Sequence, residues 1–308
     1  MKILGLSCGR MMGNSEVLVK AALMGAEETG ADVEIMRLMD LHIKPCRGCE
    51  SCTTKMAKGE LAECVIKDDD LSFVSEKFGE FQGLIIGSPV YFLAPPGYLK
   101  VLTDRMISRE INATMAAAKN GEKKRPVGLI AVGGGNKSWT PMGISLMKLL
   151  TFTEFRTVDQ LHVTEAARPA QILLDEEVLG KAKVLGRRVA QAAAGPADAM
   201  TFMGDDPGLC PVCHSNMIVH LKQGPTVECP ICGAAGTLKL DGGNVAMVLD
   251  EASMRTNRST LGGRLHHFLE IKEVHERYYA NIDEVRKKEE NYKSYLSYVM
   301  PPTGKRGR

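Results

Sequence analysis

Lys2-Ile3-Leu4-Gly5-Leu6-Ser7-Cys8-Gly9-Arg10-Met11-Met12-Gly13-Asn14-Ser15-Glu16 decides the fold. Lys2–Ser7 is a short apolar run of strand character, and Asn14–Thr29 has a helical pattern. Between them lies a loop with two glycines, and the helix opens at an Asn-Ser pair. This arrangement aims backbone N–H groups and a helix N-terminus at an anion. The loop is not GxGxxG and lacks the lysine of a Walker A motif. Ser7, Arg10, Asn14 and Ser15 are the side-chain donors it offers. Many ordinary βα turns carry Gly, Ser and Asn, so this segment alone leaves phosphate binding open.

The alternation continues for about 200 residues. Strands are expected over Lys2–Ser7, Asp32–Leu38, Gly83–Gly87, Val127–Val132 and Thr157–Val163. Helices are expected over Asn14–Thr29, Asp69–Phe78, Gly97–Ser108, Pro141–Phe155 and Gln171–Ala194. Near-continuous apolar strands suit a parallel sheet buried on both faces. Five βα units in order predict a doubly wound, five-stranded parallel α/β domain over 1–197. Two further loops then fall at the same sheet edge as the first. One runs Gly87-Ser88-Pro89-Val90-Tyr91-Phe92-Leu93-Ala94-Pro95-Pro96-Gly97. The other runs Gly133-Gly134-Gly135-Asn136-Lys137-Ser138-Trp139. Ligands of open α/β sheets bind at that edge. Phosphate donors at one end and flat apolar groups at the other suit a mononucleotide with a large ring.

These segments, together with Leu99 to Arg105, resemble the flavodoxin-like, NADPH-dependent FMN reductase family. The resemblance implies that Ser7, Arg10, Asn14 and Ser15 hold the FMN phosphate. It implies that Pro89, Val90, Tyr91 and Phe92, with Gly133, Gly134, Gly135 and Asn136, flank the isoalloxazine. Cys8 stands where the family often has Gly or Ser, and reads as a small loop residue rather than a reactive thiol.

The composition has one unusual entry. Among 308 residues, 44% are hydrophobic and 25% charged, both ordinary for a globular chain, but nine are cysteine. Eight fall into two groups of four. Nothing reads as a secretory signal, so a reducing, cytoplasmic setting is expected, where clustered thiols bind metal. The first group is Cys46, Cys49 and Cys52, then eleven residues, then Cys64. Three cysteines at two-residue gaps can wrap one corner of a cubane, and a remote fourth closes the set. A 4Fe–4S cluster in the loop 45–65 is favoured; a metal-free thiol loop is the alternative. A flavodoxin-like domain with this motif is similar to the iron–sulfur flavoprotein family, which carries FMN and one such cluster. The gap before Cys64 is longer than that family's, and Met56 to Ala62 look inserted.

The second group is Cys210-Pro211-Val212-Cys213, fifteen residues, then Cys229-Pro230-Ile231-Cys232. Two CxxC knuckles so spaced predict a tetrahedral site in a small module over 204–242. Zinc is favoured over redox iron because a rubredoxin-like centre packs aromatic residues and 204–242 contains none. His214 and His220 are surplus to four thiolates. The remaining 243–308 carries most of the tyrosines. Phe268, Ile271, His275, Tyr278, Ile282, Val285, Glu289, Tyr292, Leu296 and Val299 alternate at three and four residues, the stripe of a long packed helix. Its length favours contact with a second subunit, in a homodimer or homotetramer, over packing on its own chain. Pro301-Pro302 should end it, with a frayed basic end beyond.

Thirty-nine basic against 37 acidic residues leave a net charge of +2, which gives no support to a nucleic-acid partner. No apolar run approaches a membrane span. No Ser-His-Asp or paired-carboxylate constellation supports hydrolysis. The expected function is an oxidoreductase that passes electrons between a one-electron, ferredoxin-like carrier and a small-molecule acceptor through 4Fe–4S and FMN. An NAD(P)H-dependent reductase of flavins or quinones is the second expectation. A redox-sensing or partner-binding protein that uses the metal ribbon is the third.

Overall fold

Strands built from unbroken Ile, Leu and Val runs need cover on both faces, and the chain supplies it. The computed structural model describes residues 1–135, 139–150, 153–221, 224–293, 295–297 and 299. In order come β1 (Lys2–Ser7), α1 (Asn14–Glu27), β2 (Asp32–Arg37), α2 (Ser51–Ala57), α3 (Leu71–Glu80), β3 (Gly83–Pro89), α4 (Gly97–Arg105), α5 (Ile107–Asn120), β4 (Arg125–Val132), α6 (Trp139–Met147), β5 (Phe155–Val163) and α7 (Glu176–Ala194). The five strands form a parallel sheet in the order β2-β1-β3-β4-β5, the flavodoxin-like arrangement. β1, β3 and β4 are buried almost throughout, whereas the edge strand β2 is largely exposed.

α1 and α7 cover one face, packed on Ile3, Ile85, Ile130 and Val158. Their close crossing requires glycine. A Cβ at Gly186 would stand 1.7 Å from the Ala22 carbonyl oxygen, and one at Gly25 would stand 2.1 Å from that of Lys183. The other face buries Leu4, Leu84, Ile86 and Leu129 under Val74, Phe78, Leu102 and Ile144.

Several boundaries differ from the sequence pattern. The helix expected over 97–108 bends at Met106 and continues to Asn120 as α5. The helix expected over 141–155 ends at Met147, a 3-10 turn covers Lys148–Leu150, and β5 already begins at Phe155. The last helix starts at Glu176, because Asp175 accepts from the Val178 N–H at 3.0 Å and caps it.

The ribbon is a four-stranded antiparallel sheet of β6 (Val219–His220), β7 (Thr226–Glu228), β8 (Ala235–Asp241) and β9 (Asn244–Leu249). Its sheet runs past 242 to Leu249. Gly242 and Gly243 both have positive φ, 55° and 85°, and close a two-residue hairpin between Asp241 and Asn244. The tail follows as α8 (Glu251–Thr256), α9 (Leu261–Ala280) and α10 (Ile282–Lys293). The long C-terminal helix is therefore two segments, parted at Asn281. The first part of its apolar stripe packs on its own chain: Phe268 and Ile271 lie against Met56, Ala62 and Ile111. Farther along, Tyr278, Val285 and Tyr292 are exposed. Pro301-Pro302 and the basic end lie outside the described residues.

Candidate functional site

A cavity of ≈ 440 Å³ opens at the carboxyl edge of the sheet, where the strand order reverses between β1 and β3. Gly9, Arg10, Gly13, Asn14 and Ser15 line one part; Pro89, Val90, Tyr91, Phe92, Gly134 and Trp139 line another. The three loops singled out in the sequence thus meet. α1 begins after Gly13 with no side-chain cap, so its first N–H groups need an acceptor from outside the helix. A Cβ at Gly9 would stand 2.3 Å from Ser15 Oγ, so a larger residue there would turn the Ser15 hydroxyl away. Ser7 does not line the cavity; its hydroxyl is buried beside the loop without a hydrogen-bond partner. Glu16 braces the loop from behind, accepting from Met12 N–H at 3.3 Å and Lys20 Nζ at 2.8 Å.

Asn14 has a different task from the one expected. Its Nδ2 donates to the carbonyls of Ala166 and Arg168 at 2.8 Å each, and its Oδ1 accepts from the Ile172 N–H at 3.2 Å. It ties the first loop to the loop after β5, which brings Ala166 and Ala167 into the cavity wall. Sequence reasoning passed over those two alanines; the available signal was their place after the fifth strand, at the same sheet edge. Gly133 stitches the same region, its N–H donating to Val163 O at 2.8 Å and its carbonyl accepting from Ala166 at 3.2 Å. Gly135 stands beside the Trp139 ring, and Asn136 lies outside the described residues.

The aromatic part is open to solvent. Tyr91 and Ala94 exchange backbone hydrogen bonds of 2.8 and 3.3 Å, and Phe92 and Leu93 between them take φ of 48° and 72°. Left-handed backbone at bulky residues costs roughly 1–2 kcal/mol each. The turn leaves Phe92 wholly exposed and Tyr91 half-exposed. Cys8 is buried; its carbonyl accepts from Tyr98 Oη at 2.5 Å, and burial pushes its thiol far up. It is a packing residue.

The second cysteine group forms a closed site. The sulfurs of Cys210, Cys213, Cys229 and Cys232 lie within 4.8 Å of one another, all in buried residues. Cys210–Cys232 and Cys213–Cys229 stand 3.6 Å apart. A tetrahedron with metal–sulfur bonds near 2.3 Å has an edge of about 3.8 Å. The two knuckles share one backbone frame. The Cys210 N–H donates to Ser215 O and the Cys210 carbonyl accepts from the His214 N–H; the Cys229 N–H donates to Ala234 O and the Cys229 carbonyl accepts from the Gly233 N–H. His214 and Gly233 hold the equivalent left-handed position, φ 59° and 74°. The carbonyls of Cys213 and His214 accept from Lys148 Nζ at 2.6 and 2.7 Å. Burial lowers that ammonium to about 8 while the neighbouring cysteines oppose the fall. Ser215 Oγ donates to Ser145 Oγ at 2.9 Å. Lys148 and Ser145 thus dock the ribbon on α6 and the turn after it. Phe202, just outside 204–242, stacks on His214 with centroids 4.1 Å apart.

The first group is not gathered in this way. Cys46 and Cys49 are exposed, Cys52 and Cys64 part-buried. Cys52 feels the charges of Cys46 and Cys49, whereas Cys64 lies against the Arg105 guanidinium. The Gly48 N–H donates to Cys46 Sγ at 3.5 Å, and Gly48 and Glu50 both take left-handed backbone. The supposed insertion is the last two residues of α2 and the turn after it, and Met56 and Ala62 receive α9. Arg105 closes the loop at its base. It donates to the carbonyls of Lys44 and Ile66 at 2.7 and 3.2 Å and to Asp69 at 2.6 Å. Burial works against the Asp69 charge, and Arg105 with the N–H groups of Lys44 and Leu71 outweighs it, holding the carboxyl below its usual range.

The family profile described as NADPH-dependent FMN reductase matches residues 1–167. The chain belongs to that family. As a member of the FMN reductase family it is a flavin-dependent oxidoreductase, and the uncapped α1 with the close approach of Gly9 to Ser15 fits a phosphate on the Gly9–Ser15 side of the cavity. Flavone synthase cfoJ of Aspergillus candidus is 27% identical, with the whole of both chains covered. A solved structure named flavone reductase superposes with a TM-score of 0.78 at 25% identity, covering 98% of this chain and 100% of that one. An iron-sulfur flavoprotein of Methanosarcina thermophila is 32% identical over 139 residues, 45% of this chain and 65% of that protein. Among the described residues, no helix is long and apolar enough to cross a membrane.

Proposed function

We propose that this FMN reductase family member exchanges electrons with a flat, conjugated small molecule at the sheet-edge cavity. The observation that carries this is the pairing, in one cavity, of an uncapped helix N-terminus with an open wall of Tyr91, Phe92 and Trp139. FMN would supply the two-electron chemistry. Arg10, Ser15 and the first N–H groups of α1 would hold its phosphate, with Ser7 behind the loop and Asn14 fixing it. Pro89, Val90, Tyr91, Phe92 and Gly133 to Asn136 would flank its ring and leave space for a planar acceptor. The two full-length relatives both carry flavones in their names, which supports an acceptor of that shape. The electron donor in this reading is NAD(P)H.

The likeness to iron-sulfur flavoproteins and the Gly48 N–H at Cys46 sulfur favour a second entry route. Cys46, Cys49, Cys52 and Cys64 would hold a 4Fe–4S cluster that accepts single electrons from a ferredoxin-like carrier. Zinc in the ribbon would be structural, and the exposed stripe of α9 and α10 would meet a second copy in a cytoplasmic homodimer or homotetramer.

Anaerobic stopped-flow on FMN-loaded protein tests both. Flavin bleaching by NADPH, followed by reoxidation with a flavone, is expected. Bleaching by reduced ferredoxin alone would defeat the nicotinamide route, and no reoxidation by any planar enone would defeat the acceptor class.

A further inference from the structure

A second cavity lies apart from the flavin one. A space of ≈ 540 Å³ lies where β5, the linker at Met200–Phe202, the first cysteine knuckle and the α8–α9 junction come together. That volume suits a drug-sized molecule. Among the described residues its walls combine apolar and aromatic surface (Phe155, Phe202, Val212, Leu249) with three cations, Lys124, Lys148 and Arg156, and no carboxylate. The stacked rings of Phe202 and His214 give one flat side.

The cations are not equivalent. Lys148 is committed to the carbonyls beneath the metal site and faces its thiolates. Lys124 donates to the Ser259 carbonyl, and Glu122, 4.0 Å away, is shared with Arg264. Arg156 donates to the Met200 carbonyl at 2.8 Å and, among the described residues, makes no ion pair. Burial, then Arg264 and Arg156, lower Lys124 to about 8 while Glu122 and Glu110 oppose them, so it stays largely charged at neutral pH beside other cations. Positive charge facing a half-enclosed apolar space attracts an anion, whose binding relieves like-charge repulsion.

We propose that this cavity is a second binding site, for a planar aromatic carboxylate or a similar amphipathic anion. The ring lies against Phe202 and the apolar wall, and the acid meets Arg156 and Lys124.

Calorimetry with naphthoate on the FMN-loaded, metal-loaded chain tests this, with neutral naphthamide as the control. One naphthoate per chain is expected, with naphthamide at least about tenfold weaker, the order a charge-assisted hydrogen bond provides. Arg156→Gln, at an exposed residue, should weaken naphthoate about tenfold. Met254→Trp, which fills the cavity from α8, should abolish it. Tyr91→Ala in the flavin cavity should leave it within about twofold. Circular dichroism and metal content verify folding of each variant. Equal affinity for the amide, naphthoate binding lost in Tyr91→Ala but kept in Arg156→Gln, or no saturation at millimolar naphthoate would each overturn the proposal.

Discussion

The two cysteine quartets are held by the fold in two different ways. In the ribbon, each pair rides on a turn whose backbone bonds are already made, and the four sulfurs are buried and close. Each knuckle's own backbone hydrogen bonds set the position of its two thiols. In the loop 45–65, the ends and base are fastened, by Arg105 to Lys44 and Ile66 and by Asn112 to Ala62, but the thiols are spread between solvent and the protein. There a cluster would have to do the gathering. A closed site suits structure, whereas an exposed one suits exchange of electrons with a carrier.

The largest effect that could break this contrast comes from paired cysteine variants. Cys229→Ser should empty the ribbon of metal. Binding in such small modules is worth roughly 10–16 kcal/mol, and the ribbon has little else to hold it, with Val227, Ile231, Ala234 and Met247 as its buried apolar side chains besides the cysteines. Limited proteolysis is expected to cut within 204–249 while FMN stays bound. In the metal-free chain, Cys46→Ser, at an exposed position, should move stability by less than about 0.5 kcal/mol. Elemental analysis after anaerobic purification should show its iron gone and its zinc intact. Zinc retained in Cys229→Ser, or iron retained in Cys46→Ser, would erase the distinction.

The next effect sits at the base of the loop. Arg105 and Asp69 form a buried pair with side chains about 1% exposed. Arg105→Ala leaves a carboxylate alone in the interior, which should cost about 3–5 kcal/mol in urea unfolding. Arg105→Lys keeps the charge but cannot reach both carbonyls, so it should fall between. An unchanged midpoint in Arg105→Ala would mean that the loop is held by something else.

How much of this was legible in sequence follows from how local each feature is. The CxxC pairs carry their own turns, so spacing alone revealed the ribbon site. Uniform apolar runs gave the parallel sheet and put three loops at one edge. Arg105 was only one residue of a family-like segment, because its meaning depends on carbonyls 61 and 39 residues away. The stripe on α9 was visible, but its first partners, Met56 and Ala62, sit in a segment that looked like a mere insertion. The Gly242-Gly243 hairpin was a readable signal that went unused.

The smallest effect is a pH dependence that should touch only one quartet. Glu110 opens α5 beside Ile111 and Asn112, which pack and bond the α2 loop. Burial raises its carboxyl to about 7; Thr153 and Arg109 pull it down and Glu154 adds to the rise. Below about pH 4.5 the folded and unfolded chains both hold this proton. Between there and pH 7 the folded chain keeps a proton the unfolded chain has released, so stability falls as pH rises, and levels off above 7. Partial exposure of the side chain limits the loss to about 1–2 kcal/mol. Glu110→Gln should flatten the melting profile across that window. At pH 7, hydrogen exchange should show slower opening of α5 and α2 in Glu110→Gln than in the parent chain, with ribbon amides unchanged. A ribbon that loosens in step with α5 would mean that the two quartets share one cooperative unit rather than two.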